Sequence, residues 1–85
     1  MVDKVFSIHR KEIDKIDKKI MKLIETRLYH ARKLGEYKKK NGIPIIDKKR
    51  EKEIIRDRVS KSKLSKEFTS KLFLLMINES RRVQK

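Results

Sequence analysis

The sequence has no cysteine and no tryptophan, and it contains one proline and two glycines among its 85 residues. Without cysteine there can be no disulfide and no thiolate chemistry, which fits the reducing cytoplasm. The scarcity of proline and glycine leaves few points at which helices must stop. Neither a signal peptide nor the roughly 20 apolar residues of a membrane span can be found. We therefore expect a cytoplasmic protein, rich in helix, that does not enter a membrane.

Positive charge is what the sequence has in abundance. Lysine and arginine number 26 against 12 acidic residues, a formal net charge of +14. Such an excess attracts an anionic partner, which could be nucleic acid, acidic lipid or a small polyanion. Much of it could also be a solvated, lysine-rich surface, so charge alone does not identify the partner.

Residues from about 3 to 40 are predicted to form one long helix, interrupted by no proline. Side chains at alternating steps of three and four lie on one stripe of this helix. The stripe consists of Phe6, Arg10, Ile13, Asp17, Ile20, Ile24, Arg27, Ala31, Leu34 and Lys38. Three of its members are long cations, which are costly on a packed face unless an anion meets them. The alternative is that they reach past the packed face into water.

Two shorter helices are predicted in the second half of the chain. Asp47 can cap helix 2, about 48–59, and Ser65 can cap helix 3, about 66–84. Residues 41–47 contain an Asn-Gly pair and the proline, which favour a helix stop and an extended connection. Because no strand alternation is visible, we expect an all-α fold in a single domain covering the whole chain.

The long helix has more apolar surface than the two shorter helices can cover. A helix over 3–40 is about 57 Å long. A second chain packed antiparallel along it would complete the packing and give a homodimer. A two-fold axis near residue 21 would place Arg10 of one chain between Arg27 and Lys38 of the other, with three cations at each of two equivalent sites.

Two further groups of polar residues are candidates for a binding site. Asp47, Arg50 and Glu51 either form an ordinary helix start or offer a cation and two carboxylates to a ligand with carboxylate and hydroxyl groups. Ser80 and Gln84, four residues apart, should point inward from helix 3, unless that end is simply frayed.

Neither a metal nor a cofactor site is predicted. His9 and His30 are far apart and have no companion ligands, so we expect both at the surface. There is no glycine-rich phosphate loop and no set of residues suited to nucleophilic catalysis.

Three features together resemble the all-helical (AroQ-class) chorismate mutases. They are the spacing of the three cations on helix 1, the Pro-x-x-Asp-x-x-Arg-Glu turn at 44–51, and the Ser-x-x-x-Gln ending at 80–84. The resemblance covers nearly the whole chain. It implies an intertwined antiparallel homodimer of three-helix chains, each with one long N-terminal helix. It also implies an isomerase that converts chorismate to prephenate, on the route to phenylalanine and tyrosine, without cofactor, metal or covalent intermediate.

The resemblance assigns the substrate carboxylates to the cations. Arg27 and Arg10 of the partner subunit would bind the two carboxylates, with Ser80 assisting. Arg50 would complete the cationic wall.

The remaining roles concern the oxygens of the ether and of the ring hydroxyl. Lys38 and Gln84 would hydrogen-bond the ether oxygen whose bond breaks. Glu51, with the backbone around Asp47, would hold the ring hydroxyl. Because Gln84 lies next to the last residue of the sequence, we expect that the ligand helps to order it.

Other functions remain open at this point. Isochorismate pyruvate lyase resembles the same family and binds a dicarboxylate between similar cations. A basic helical dimer that binds nucleic acid would explain the charge, but it gives no reason for cations within an apolar stripe. A purely structural dimer does not explain the inward polar residues. The pair of Glu51 and Gln84 makes us favour the mutase over the lyase, and we expect no nucleic-acid partner.

Overall fold

The computed structural model of the chain describes residues 2–85, and these contain three helices and no strand. They are α1 (Val2–Lys40), α2 (Lys48–Lys61) and α3 (Lys66–Gln84). The all-helical fold with a long first helix is confirmed. Helix α2 ends two residues later than predicted, because the chain remains helical until Ser62, whose backbone N–H donates to Arg58 O. The loop before α3 is correspondingly short.

Helix α1 ends at the predicted Asn-Gly pair. Gly42 has a positive φ of 64°, the left-handed conformation that glycine adopts without a steric penalty. The backbone N–H of Ile43 donates to Lys38 O at 2.9 Å, and that of Asn41 donates to Tyr37 O at 3.1 Å. The bond from Ile43 is the outer bond of a Schellman motif, which satisfies a carbonyl that the helix end would otherwise leave without a partner.

The two predicted N-caps are both formed. Asp47 accepts from the backbone N–H of Arg50 at 3.0 Å, and Ser65 Oγ accepts from that of Phe68 at 3.1 Å. Each bond satisfies one of the free N–H groups in the first turn of a helix.

Helix α3 packs against both other helices, whereas α1 and α2 share no packing surface in the part of the chain that the structure describes. The buried apolar side chains of the described residues are Ala31 on α1 and Ile77 on α3. Thr69 is also buried, and its hydroxyl donates to Ser65 O. One chain therefore has a very small hydrophobic core for its length.

Among the described residues, none from α2, α3 or the connections covers the N-terminal half of α1. Every residue over 3–23 is exposed, including the apolar Phe6, Ile13 and Ile20 of the predicted stripe. The molecule is accordingly elongated, with a longest dimension of 61 Å. None of the helices over residues 2–85 combines the length and the apolar character that crossing a membrane requires.

Gly35 marks the closest approach of α1 and α3. A methyl group added at this position would stand 2.8 Å from Gln84 Cα and 2.9 Å from its Cβ. Atoms at that separation clash, and the nearest one belongs to the backbone, so a side chain at residue 35 would push the end of α3 away. The absence of a side chain at Gly35 therefore sets the position of Gln84.

Gly35→Ala should destabilise the protein although alanine is the better helix former. Overpacking costs about 1–3 kcal/mol, against a gain in helix propensity of up to about 1 kcal/mol. Urea unfolding at fixed protein concentration would measure the difference. Glu36→Ala, at an exposed neighbouring position, is the control and should change stability by less than about 0.5 kcal/mol. A more stable Gly35→Ala protein would show that the contact with Gln84 does not constrain the packing.

Candidate active site

A cavity of about 270 Å³ lies where the C-terminal part of α1, the first turns of α2 and the end of α3 meet. Seven of the eight predicted site residues line it, although they come from all three helices and the connection after α1. They are Arg27, Lys38, Asp47, Arg50, Glu51, Ser80 and Gln84. The fold therefore brings together side chains that are up to 57 positions apart in the sequence.

Arg27 reaches from α1 to α3. Its Nη1 donates to Ser80 Oγ at 2.7 Å and, more weakly, to Met76 O at 3.4 Å. Burial lowers the pKa of Arg27, and the positive charge of nearby Arg58 lowers it further. Arginine nevertheless keeps its proton in proteins. The cavity thus holds two guanidinium groups close enough to repel each other, and a bound anion would relieve this repulsion.

Lys38 joins the end of α1 to the end of α3. Its Nζ donates to Gln84 Oε1 at 3.0 Å and to Ile45 O at 3.1 Å. An ammonium group can only donate, so the carbonyl of the Gln84 amide must face Lys38 and its NH₂ group must face away. Lys38 has three N–H groups and uses two of them in these contacts. One N–H of Lys38 and the Gln84 amide therefore remain as donors for a ligand.

Gln84 is buried, with 9% of its surface exposed, although it stands next to the last residue of the sequence. Its contacts with Lys38 and Gly35 hold it in place. The alternative of a frayed end is therefore wrong for this structure. Whether a ligand adds to this ordering, as we expect from the position of Gln84 in the sequence, stays a prediction.

Glu51 lies in the first turn of α2 and contacts Arg81 of α3 through both carboxylate oxygens. Arg81 Nε donates to Oε2 at 2.7 Å, and Arg81 Nη2 donates to Oε1. The hydrogen bonds to Glu51 raise the pKa of Arg81. Asp47 and Arg50 lie beside this pair, with the Asp47 side chain engaged in capping α2.

Arg58 and Arg81 line the cavity but were not among the predicted site residues. For each of them, the spacing to other cavity residues on the same helix indicates that it faces the cavity. Arg81 follows Ile77 by four positions and precedes Gln84 by three, which places it on the same face of α3. Arg58 follows Glu51 by seven positions on α2, so these two also share a face. His30, expected at the surface, is exposed at the cavity rim.

Arg10 is the predicted site residue that one chain does not bring to the cavity. It lies 17 positions before Arg27 on the straight run of α1, which corresponds to about 25 Å. Its guanidinium group lies over the ring of Phe6, 5.2 Å from the centroid. The participation of Arg10 in the site of another chain stays a prediction.

The charges around the cavity suit a ligand with more than one negative charge. Five cations line it, namely Arg27, Lys38, Arg50, Arg58 and Arg81, against the two carboxylates of Asp47 and Glu51. No group of three or more potential metal ligands occurs among residues 2–85. The arrangement can bind and orient a polyanion and can stabilise negative charge that develops near Lys38 and Gln84.

Comparison with known proteins gives matches along most of the chain. A family model for chorismate mutase type II matches residues 9–85. The chain is 39% identical to a chorismate mutase of Methanocaldococcus jannaschii, over all of this chain and 88% of that protein. No solved structure gives a significant match.

Two longer proteins match as well. A bifunctional chorismate mutase/prephenate dehydratase of Aquifex aeolicus is 47% identical over 53% of this chain and 12% of its own length. One of Buchnera aphidicola is 38% identical over 92% of this chain and 21% of its own length. The match to a family model over residues 9–85 and the full-length likeness to the Methanocaldococcus protein show that the chain belongs to the type II chorismate mutase family.

Proposed function

We propose that the chain catalyses the rearrangement of chorismate to prephenate in the cavity between its three helices. The observation that carries the proposal is the pair of donors at Lys38 and Gln84, fixed side by side within a wall of cations. The reaction breaks the ether C–O bond and forms a new C–C bond within the same molecule. The product is an isomer of the substrate, so the reaction needs no external oxidant, reductant or proton donor.

Catalysis would consist of holding the flexible substrate in its reactive shape and stabilising the charge that develops. Negative charge grows on the ether oxygen as its bond lengthens, and donors already in position stabilise it without reorganising. Lys38 and Gln84 are such donors. Restricting the substrate to a chair-like conformation supplies a further part of the rate enhancement.

The substrate carboxylates would be bound by guanidinium groups. Arg27, which Ser80 orients at 2.7 Å, would bind one of them, and Arg10 of the partner subunit would bind the other. Arg50 would add to the positive wall. Glu51, together with the backbone at Asp47, would accept a hydrogen bond from the ring hydroxyl. We propose these roles from the position of each residue at the cavity and from the resemblance to the family.

A homodimer would complete this site. The uncovered half of α1 offers an apolar stripe whose position in the sequence fits an antiparallel second copy, and the small core of one chain favours such association. The two-fold axis near residue 21 would then deliver Arg10 to the other chain's cavity. We also propose that the enzyme works in the cytoplasm, since a chain without cysteine needs no oxidising compartment.

Arg27→Ala should abolish most of the turnover of chorismate. Removing a half-buried, hydrogen-bonded charge that binds substrate costs about 2–5 kcal/mol, or roughly thirtyfold to several thousandfold in kcat/KM. Loss of chorismate and formation of prephenate can be measured directly. Arg32→Ala, an exposed arginine on the same helix, is the matched control and should keep full activity.

Either of two results would contradict the proposal. If the Arg27→Ala protein turned over chorismate within about threefold of the wild-type rate, Arg27 would not be a substrate-binding residue. A wild-type protein that leaves chorismate unchanged but releases pyruvate from isochorismate would be a lyase. The salt dependence separates the alternative function, because binding of nucleic acid would weaken steeply with added salt, whereas turnover of chorismate in the cavity should fall only modestly.

The wild-type enzyme should show little change in activity from pH 6 to 8, because the Gln84 amide does not titrate. Gln84→Glu should behave differently, since a carboxyl group donates to the ether oxygen only when protonated. We expect kcat/KM at pH 7 to fall by about a hundredfold and to rise as the pH is lowered towards 5. A pH–rate profile of both proteins measures this. A flat profile for Gln84→Glu would show that residue 84 is not a donor in the transition state.

Mixed dimers would test the proposed contribution of Arg10. Arg10→Ala and Arg27→Ala chains, each inactive alone, should recover about a quarter of wild-type activity after joint unfolding and refolding, because half of the dimers form one intact site out of two. Arg27→Ala mixed with Gln84→Ala is the control, since both residues belong to the same chain's cavity and no intact site can form. Equal activity in the two mixtures would argue against a shared site.

A further inference from the structure

Arg81 holds the carboxylate of Glu51, and the mechanism proposed above gives Arg81 no role. The two residues lie 30 positions apart, on α3 and α2, and join through two parallel hydrogen bonds. Both side chains are largely covered, with 29% of Arg81 and 17% of Glu51 exposed. A double contact of this kind between helices fixes direction as well as distance.

The geometry of the pair leaves Glu51 able to accept another hydrogen bond. A carboxylate offers about four lone-pair positions, two on each oxygen. The Arg81 guanidinium uses one on each oxygen, because Nε contacts Oε2 and Nη2 contacts Oε1. The remaining positions keep a constant orientation, since the planar guanidinium group prevents the carboxylate from rotating.

Arg81 also changes the charge that a ligand meets. A negative Glu51 beside an anionic ligand would repel it. Over residues 2–85, Arg81 is the cation that forms an ion pair with Glu51. Arg27 and Lys38 donate to Ser80, Gln84 and backbone carbonyls instead. The pair therefore allows a carboxylate to line the cavity without opposing the binding of an anion.

We propose that Arg81 is a positioning residue that orients Glu51 towards the ring hydroxyl of the substrate and offsets its charge. This inference rests on the proposed function, because the hydroxyl is that of chorismate. Arg81 acts through Glu51 and does not itself contact the reacting atoms. Its two effects separate in kinetics, since the orientation of the hydroxyl governs kcat and the charge governs KM.

Arg81→Met removes both effects and Arg81→Lys removes one. For Arg81→Met we expect kcat to fall by about tenfold and KM to rise several-fold, as for the loss of a hydrogen bond to a charged group. Arg81→Lys restores the charge without the planar double contact, so KM should return near the wild-type value while kcat stays low. Steady-state kinetics with chorismate measures both constants.

A double-mutant cycle with Glu51→Gln then tests whether Arg81 acts through Glu51. If it does, adding Arg81→Met to Glu51→Gln should lower kcat/KM by less than about threefold, because the residue to be positioned has already been altered. If Arg81 contacted the substrate directly, the two losses would multiply, and this result would overturn the proposal. If Arg81→Met does not fold by circular dichroism, the cycle is made with Arg81→Lys.

Arg82→Met is the matched control. Arg82 lies next to Arg81 on α3 and forms an ion pair with Glu79, but its side chain is 73% exposed. This variant should keep wild-type kcat and KM. If the wild-type protein is active and Arg81→Met has the same kcat and KM, the positioning role is disproved but the proposed function is not. A wild-type protein inactive towards chorismate would disprove the proposed function itself.

Discussion

The cavity depends on the packing of α3 against the C-terminal half of α1. At Gly35 the two helices approach so closely that an added methyl group would clash with the backbone of Gln84. This contact places Gln84 beside Lys38, and one turn earlier it places Ser80 beside Arg27. Helix α2 then joins α3 rather than α1, so α3 positions residues of both neighbours.

Positive charge is concentrated where it is costly unless a ligand is bound. Five cations face two carboxylates around the cavity, and burial together with Arg58 lowers the pKa of Arg27. Such an arrangement is poorly suited to stabilising an empty protein and well suited to binding an anion. The overall charge of +14 also attracts anions from a distance, but the specificity lies in the cavity.

The features predicted correctly from the sequence are those governed by local interactions. The Asp47 and Ser65 caps and the stop at Gly42 follow from residues a few positions apart. The predicted end of α2 is two residues too early, because serine and lysine are compatible with either a last helical turn or a loop.

Contacts between helices were harder to predict. The ion pair of Arg81 with Glu51 joins α3 to α2 and depends on how the two helices are rotated about their axes. Spacing alone shows which face Arg81 occupies, but not which acid it meets. The burial of Gln84 depends in the same way on how deeply α3 packs at Gly35, which no local pattern reports. The proposed role of Arg10 depends on a second chain, so the structure of one chain does not test it.

Lys38 connects the termination of a helix with the chemistry of the cavity. Its backbone carbonyl accepts from Ile43, which closes the end of α1, and its ammonium group donates to Ile45 O two residues further along. The main chain and the side chain of one residue thus anchor the same connecting segment, which itself forms part of the cavity wall. A replacement of Lys38 would therefore alter the shape of the cavity as well as remove a donor. For this reason the contribution of its charge to the rate cannot be read from a simple truncation.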